Sequence, residues 1–298
     1  MPSLSARTMA AFIRLRGSKK VFASAAATLA EVAALQIRPA SYAPPKKLDK
    51  TVGFSVRLVG GWPVYTVIPR GAATRRRALY SHGGSWFREI NAIHWNLIAK
   101  LAAATGTQFT VPIFPPVPAG TAATVIPAIA DMAAELVAAV GAENVTLMGD
   151  SAGGTITLAV AMQLRDRGLH AAHRTILISP ALDLAFNDPA IALIAPSDPW
   201  LAVAGLQAAA QLWRGALPID NPLVSPIHGD LSGLAPITLF SGTRDIINAD
   251  ARSLVRKARA EDFPLDYHEA SELLHVYPLL PSPEANAARA VMEKALKG

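Results

Sequence analysis

The chain of 298 residues contains no cysteine. That excludes disulfides, thiolate nucleophiles and cysteine-ligated zinc together. Charged residues are also scarce at 17%, against 51% hydrophobic. A chain so apolar can bury a sizeable core and is neither disordered nor of low complexity. Aromatic residues make up only 6%. None interleaves with the small basic groups (Arg14, Arg16, Lys19 and Lys20; Lys46, Lys47 and Lys50; Arg75, Arg76 and Arg77). The formal charge of +6 therefore reads as solvated faces with some attraction to an anionic surface, and no nucleic-acid partner is expected.

Long hydrophobic runs are missing as well, and no segment reads as a transmembrane span. The nearest approach follows Lys19 and Lys20, where VFASAAATLAEVAAL loosely imitates a signal peptide. Glu31 interrupts it and the run is too short to cross a bilayer. Val21, Phe22, Ala25, Leu29, Val32 and Leu35 instead share one face of a helix lying on the rest of the protein. This favours a cytoplasmic chain over an exported or membrane-associated one.

From Val52 onward, short β-rich runs alternate with longer helical ones. VGFSVRLVG and WPVYTVIP read as paired strands around Gly60 and Gly61. RRALYSHGG, FTVPIF, NVTLMG, RTILISP, APITLFSG and FPLDYHEA read as further strands. Between them NAIHWNLIAKLAAATG, TVIPAIADMAAELVAAVG, TITLAVAMQLRDRG and ADARSLVRKARA carry helical spacing. The alternation predicts an α/β fold in one domain over 1–298, with a mostly parallel sheet covered by helices on both faces. An excursion between RTILISP and APITLFSG, holding the helical WLAVAGLQAAAQLWRG, breaks the rhythm and is expected to form a lid.

Gly149-Asp150-Ser151-Ala152-Gly153-Gly154 places a G-x-S-x-G string between a strand and a helix. Such a turn exposes the serine hydroxyl beside a helix N-terminus, where backbone N–H groups favour developing negative charge. Some 65 residues upstream, Ser81-His82-Gly83-Gly84-Ser85-Trp86 follows another strand. There a glycine loop could supply the remaining oxyanion donors, alongside the N–H of Ala152.

With these motifs the chain resembles the hormone-sensitive-lipase-like family of α/β hydrolases, in its GDSAGG branch. ISPALDL, NPLVSPIHGDLSGLAPI, SGTRDIINAD and LLHVYPLL fall in the family order, so the resemblance covers nearly the whole chain. It implies the α/β-hydrolase fold, a sheet of about eight strands, and a helical cap from 1–48 and 184–226. It also implies hydrolysis of acyl esters. Two departures stand out. Ser85 replaces the family's third glycine, which preserves the N–H but requires a backbone tolerable to a Cβ. PIFPPVPAGTA replaces a tyrosine-arginine-leucine-alanine-proline run.

Partners of a hydrolase serine follow it in the order acid, then histidine. Seven histidines are available. His82 belongs to the oxyanion turn as a brace, His94 lies in a helix, and His170 and His173 lie in a linker. His228 comes too early and His268 sits within a strand pattern. His275, in the loop after that strand, matches the family's base. Asp245 follows ITLFSG at a strand end and matches the family's acid. Asp250 is its competitor and is expected to cap ADARSLVRKARA, while Asp183 and Asp150 take structural roles. The resemblance thus implies a Ser151, Asp245 and His275 triad with an oxyanion site at Gly83, Gly84, Ser85 and Ala152, needing no metal or cofactor. Trp86, Phe87, Trp200, Leu201 and Trp213 are candidate pocket liners. The expected partner is a small acyl ester, and pairing of two copies stays open.

Overall fold

In the computed structural model, residues 1–71, 74–169 and 172–298 are described; His170 lies outside them. Strands β1 (Val52–Val59) and β2 (Trp62–Pro69) form an antiparallel hairpin. Gly60 and Gly61 turn it with φ of 56° and 84°. Two successive positive φ values suit the right-handed twist of the flanking strands. The remaining strands are β3 (Arg77–Ser81), β4 (Gln108–Pro112), β5 (Val145–Asp150), β6 (Arg174–Ile178), β7 (Ile237–Arg244) and β8 (Leu265–Leu274). They complete one eight-stranded sheet in the order β1-β2-β4-β3-β5-β6-β7-β8. Pairing is antiparallel from β1 to β4 and parallel from there to β8.

Burial explains the uniform composition of the central strands. Every residue of β5 is buried, as expected of a strand covered on both faces. Covering helices α3 (Ala92–Thr105), α4 (Ala122–Val140), α5 (Ala152–Asp166), α7 (Val203–Arg214) and α8 (Asn248–Ala260) follow the sequence pattern to within a few residues. Three more helices carry weaker signals: α1 (Leu4–Leu15), α6 (Pro189–Ile194) and α9 (Pro283–Lys297).

Two expectations need correction. Helix α2 spans Ala25–Ile37 and starts at Ser24, whose side chain accepts from Ala27 N. Val21 and Phe22 belong to a separate 3-10 turn, and Leu29 is 45% exposed rather than on the packed face. The second concerns membrane-length segments: α4, with 19 residues, is long and apolar enough to cross a bilayer. Its Val125, Ile126, Ile129 and Ala133 are buried, and it packs on α5 against the sheet. A core helix satisfies the same length and hydropathy conditions.

The sheet places its functional side chains at one edge of the molecule. β3, β5, β7 and β8 all end near the same crevice, outside the carboxyl ends of the parallel strands, where ligands bind in such sheets. Helices α2 and α7 pack on each other, together with the Ser18–Phe22 turn. Lys19 Nζ ties that turn to the carbonyls of Ala195 and Asp198 at 2.7 and 2.8 Å.

Candidate active site

Ser151 sits between β5 and α5 at φ 52° and ψ −123°. A left-handed φ is costly for a residue with a Cβ, and it is held here because the turn is bonded on both sides. Ser151 N donates to Ile178 O at 2.8 Å, and Ser151 O accepts from Gly154 N at 2.9 Å. A Cβ on Gly153 would collide with the Ser81 carbonyl, so β3 and the start of α5 meet only through glycine.

His275 follows β8 directly and Asp245 follows β7. His275 Nε2 lies 2.9 Å from Ser151 Oγ, and Nδ1 lies 2.8 Å from Asp245 Oδ2. A carboxylate only accepts, so Nδ1–H donates to Asp245 and leaves Nε2 free to accept the serine proton. Asp245 is steadied by the N–H of Ile247, which its Oδ1 accepts at 3.0 Å. All three side chains are buried. Burial by itself would lower the His275 pKa. The charge of Asp245 and its hydrogen bond, with Asp198 and Asp150 behind, outweigh that and hold it above the ordinary histidine value.

The glycine loop meets the serine from the other side. Asp150 Oδ1 accepts from Tyr80 Oη at 2.6 Å and from Gly83 N at 3.0 Å, which ties the loop to the elbow. His82 Nδ1–H donates to Gly83 O at 2.7 Å, and the ring stacks 4.4 Å from Phe114. Burial, then the neighbouring His94, push the His82 pKa down to about 4, so it is a neutral brace. Beyond it Gly84, Ser85 and Trp86 all have positive φ, at 126°, 53° and 62°. Ser85 thus adopts the glycine-like backbone its position demands. The N–H groups of Gly84 and Ser85 take no acceptor among the described residues, and Ala152 opens α5.

A cavity of about 80 Å³ opens onto Ser151 and His275. Trp200 and Leu201 line it, with Phe22, Arg88, Asn91 and His94. Trp200 meets the His275 ring edge-on, 5.9 Å away. Trp86 and Trp213 do not line it: buried, they stack on each other at 5.9 Å. Phe87 lines a neighbouring cavity of about 160 Å³ with Val32, Leu35, Glu89 and Val117. Burial raises the Glu89 carboxyl to about 7.

Several residues play parts that the sequence does not display. His94, within α3 as expected, accepts Asn91 N at Nδ1, so its Nε2–H points to Asp150 Oδ2, 3.3 Å away. Asp250 does not cap α8. It lies in the first turn of the helix, and its Oδ2 accepts from Leu182 N and Asp183 N at 2.7 and 3.1 Å. Asp198, buried in the excursion, accepts from Trp200 N, Leu201 N and Ile246 N. His173, His228 and His268 are remote from the serine; His268 bonds to Asp266 at 2.8 Å. No group of metal-ligating side chains occurs among the described residues.

Comparison with known proteins identifies the family and the fold. The family described as the alpha/beta hydrolase fold matches residues 78–279. A Mycobacterium tuberculosis protein named as an acetyl-hydrolase is 31% identical over 95% of this chain and 92% of its own length. A triacylglycerol lipase of the same organism is 31% identical over 80% of this chain, which spans 50% of that lipase. A Staphylococcus aureus crystal structure named as an esterase superposes with a TM-score of 0.88 at 23% identity, covering 95% of this chain and 96% of that one. The chain belongs to the α/β hydrolase family, as its motifs imply.

Proposed function

We propose that the protein is a serine carboxylesterase acting on short- to medium-chain acyl esters. The observation that carries this reading is the continuous relay from Ser151 Oγ through His275 to Asp245, at 2.9 and 2.8 Å. Residues in these positions perform acyl transfer in a fixed order. His275 Nε2 takes the hydroxyl proton as Oγ bonds to the ester carbonyl carbon. The oxyanion that forms is received by the N–H groups of Gly84, Ser85 and Ala152. Gly83 contributes by fixing the loop to Asp150. Collapse breaks the bond to the alcohol oxygen, which takes the proton from His275 and leaves. Water then gives its proton to His275 and attacks the acyl-enzyme, releasing the acid and restoring Ser151.

The small cavity, about 80 Å³ against roughly 300–1,000 Å³ for pockets that hold drug-sized ligands, supports short acyl groups. The α2 and α7 segments close over it as a cap in this reading. The names of the relatives favour a second substrate class, an O- or N-acetylated small metabolite, hydrolysed by the same machinery. Hydrolysis of p-nitrophenyl esters from acetate to palmitate, with Ser151→Ala as control, tests the proposal. Turnover that peaks on short chains and disappears in the variant supports the esterase. A peak on long chains replaces it with a lipase, and silence on all chains except an acetylated metabolite selects the acetyl-hydrolase.

A further inference from the structure

Helix α1 buries Ala10 and Ile13 against the protein and turns a second apolar stripe outward. Leu4, Ala11 and Leu15 lie along that face, with Thr8 between them turning its hydroxyl to the Leu4 carbonyl; Leu4 is 78% exposed and Leu15 87%. Phe12 stands beside them at 51% exposed, with the Arg16 guanidinium 5.2 Å from its ring centroid. Helix α2 repeats the pattern. It buries Thr28 and Val32, while Ala26, Leu29, Ala30, Ala33 and Ile37 face outward, the last 87% exposed.

Single exposed apolar residues are ordinary. Two successive helices with outward apolar stripes are not, and cations outnumber carboxylates along them: Glu31 on α2, Glu284 at Ser3 and Glu272 beside Ala6 and Met9 are the acidic neighbours. Residues 1–30 contain Arg7, Arg14, Arg16, Lys19 and Lys20 and no acidic residue. Lys19 is engaged by the Ala195 and Asp198 carbonyls. Arg7, Arg14, Arg16 and Lys20 form no ion pair among the described residues. The first carboxylate, Glu31, is held by Arg88 at 3.3 Å.

We infer that α1 and α2 form a docking surface for a lipid bilayer bearing anionic headgroups. Apolar side chains flanked by cations are what an interfacial helix needs: the first enter the acyl boundary, and the second meet the phosphates. A second copy is the poorer occupant, because a self-complementary contact would set these cations against each other. The turn between the helices carries Phe22, which lines the cavity at Ser151. The segment that joins the two helices therefore also lines the cavity.

Vesicle flotation of the full chain tests this. Vesicles of phosphatidylcholine with phosphatidylglycerol should carry the protein at least tenfold better than phosphatidylcholine alone. Arg7→Gln and Arg14→Gln should each weaken binding about fivefold. Leu15→Glu with Ile37→Glu should abolish it, with circular dichroism and thermal unfolding unchanged because both positions are exposed. Absence of flotation with anionic vesicles overturns the inference. So does a wild-type dimer in light scattering that the same pair of substitutions dissolves, since that assigns the surface to a second copy.

Discussion

Asp198 Oδ2 accepts the backbone N–H of Ile246 at 3.0 Å, the residue immediately after Asp245. One carboxylate thus holds the turn that presents another. Asp198 Oδ1 also accepts from Trp200 N and Leu201 N at 2.7 and 3.0 Å, so the excursion and the acid loop are fastened together at one buried group. Asp198→Ala leaves these donors without an acceptor, at about 1–3 kcal/mol for each that stays dry. The expected outcome is a lower melting temperature and a loss of about tenfold or more in kcat, equal to ~1.4 kcal/mol of barrier. Asp198→Asn, which keeps an acceptor, recovers part of both. Equal kinetics in all three proteins would remove Asp198 from the positioning of Asp245.

The pH profile follows from His275. The imidazole must be neutral to take the serine proton, and Asp245 with its neighbours holds its pKa above 6.5 despite burial. Activity therefore declines as pH falls, and the midpoint of the acid limb in kcat/KM lies above the ordinary value of about 6.5. Asp245→Asn moves that midpoint down while also lowering the rate. A flat profile across pH ~5–8 contradicts His275 as the base.

Much of the site is legible in the sequence because its geometry is local. Ser151 is announced by glycines between a buried strand and a helix, and the β1–β2 turn by Gly60 and Gly61. Asp198, Arg88 and Phe22 are not legible in this way. Phe22 and Arg88 reach the cavity from separate segments, and the hydrogen bonds of Asp198 are to backbone N–H groups, which leave no residue pattern. Helix α1 is legible in principle, since Ala6, Met9, Ala10 and Ile13 share one face at helical spacing and pack inward. Trp86 and Trp213 mislead: large aromatics suit a pocket wall as well as a core, and here they pack on each other.

The oxyanion loop makes opposite predictions at adjacent residues. Gly84 has φ 126°, and a Cβ there would lie 2.7 Å from Arg88 O. Gly84→Ala must displace the loop, so hydrolysis should fall by about 10²-fold or more, the scale of losing one oxyanion donor. Ser85 pays for a left-handed φ of 53°. Ser85→Gly removes that strain at some entropic cost, and should raise stability by about 0.5–1 kcal/mol with activity retained. Denaturant unfolding and steady-state kinetics of the two variants check both.

Asp250 should set a pH dependence of stability. Burial raises its carboxyl to about 8, against the opposing pull of the Leu182 and Asp183 N–H groups. Between about pH 4, where the unfolded chain releases this proton, and about 8, the folded chain binds more protons than the unfolded one. Stability from this group is therefore present at low pH and lost as pH rises. Asp250→Asn keeps the acceptor and removes that slope, which urea midpoints across pH will reveal as a converging difference from wild type. Asp250→Ala is destabilising at every pH.

The most direct test of the proposed chemistry is covalent capture of the nucleophile. A fluorophosphonate should form one adduct, located on Ser151 by peptide mass spectrometry, with labelling slowed at acid pH and nearly absent in His275→Ala. A folded wild-type protein that resists the reagent, or that carries the adduct on another residue, would contradict the triad.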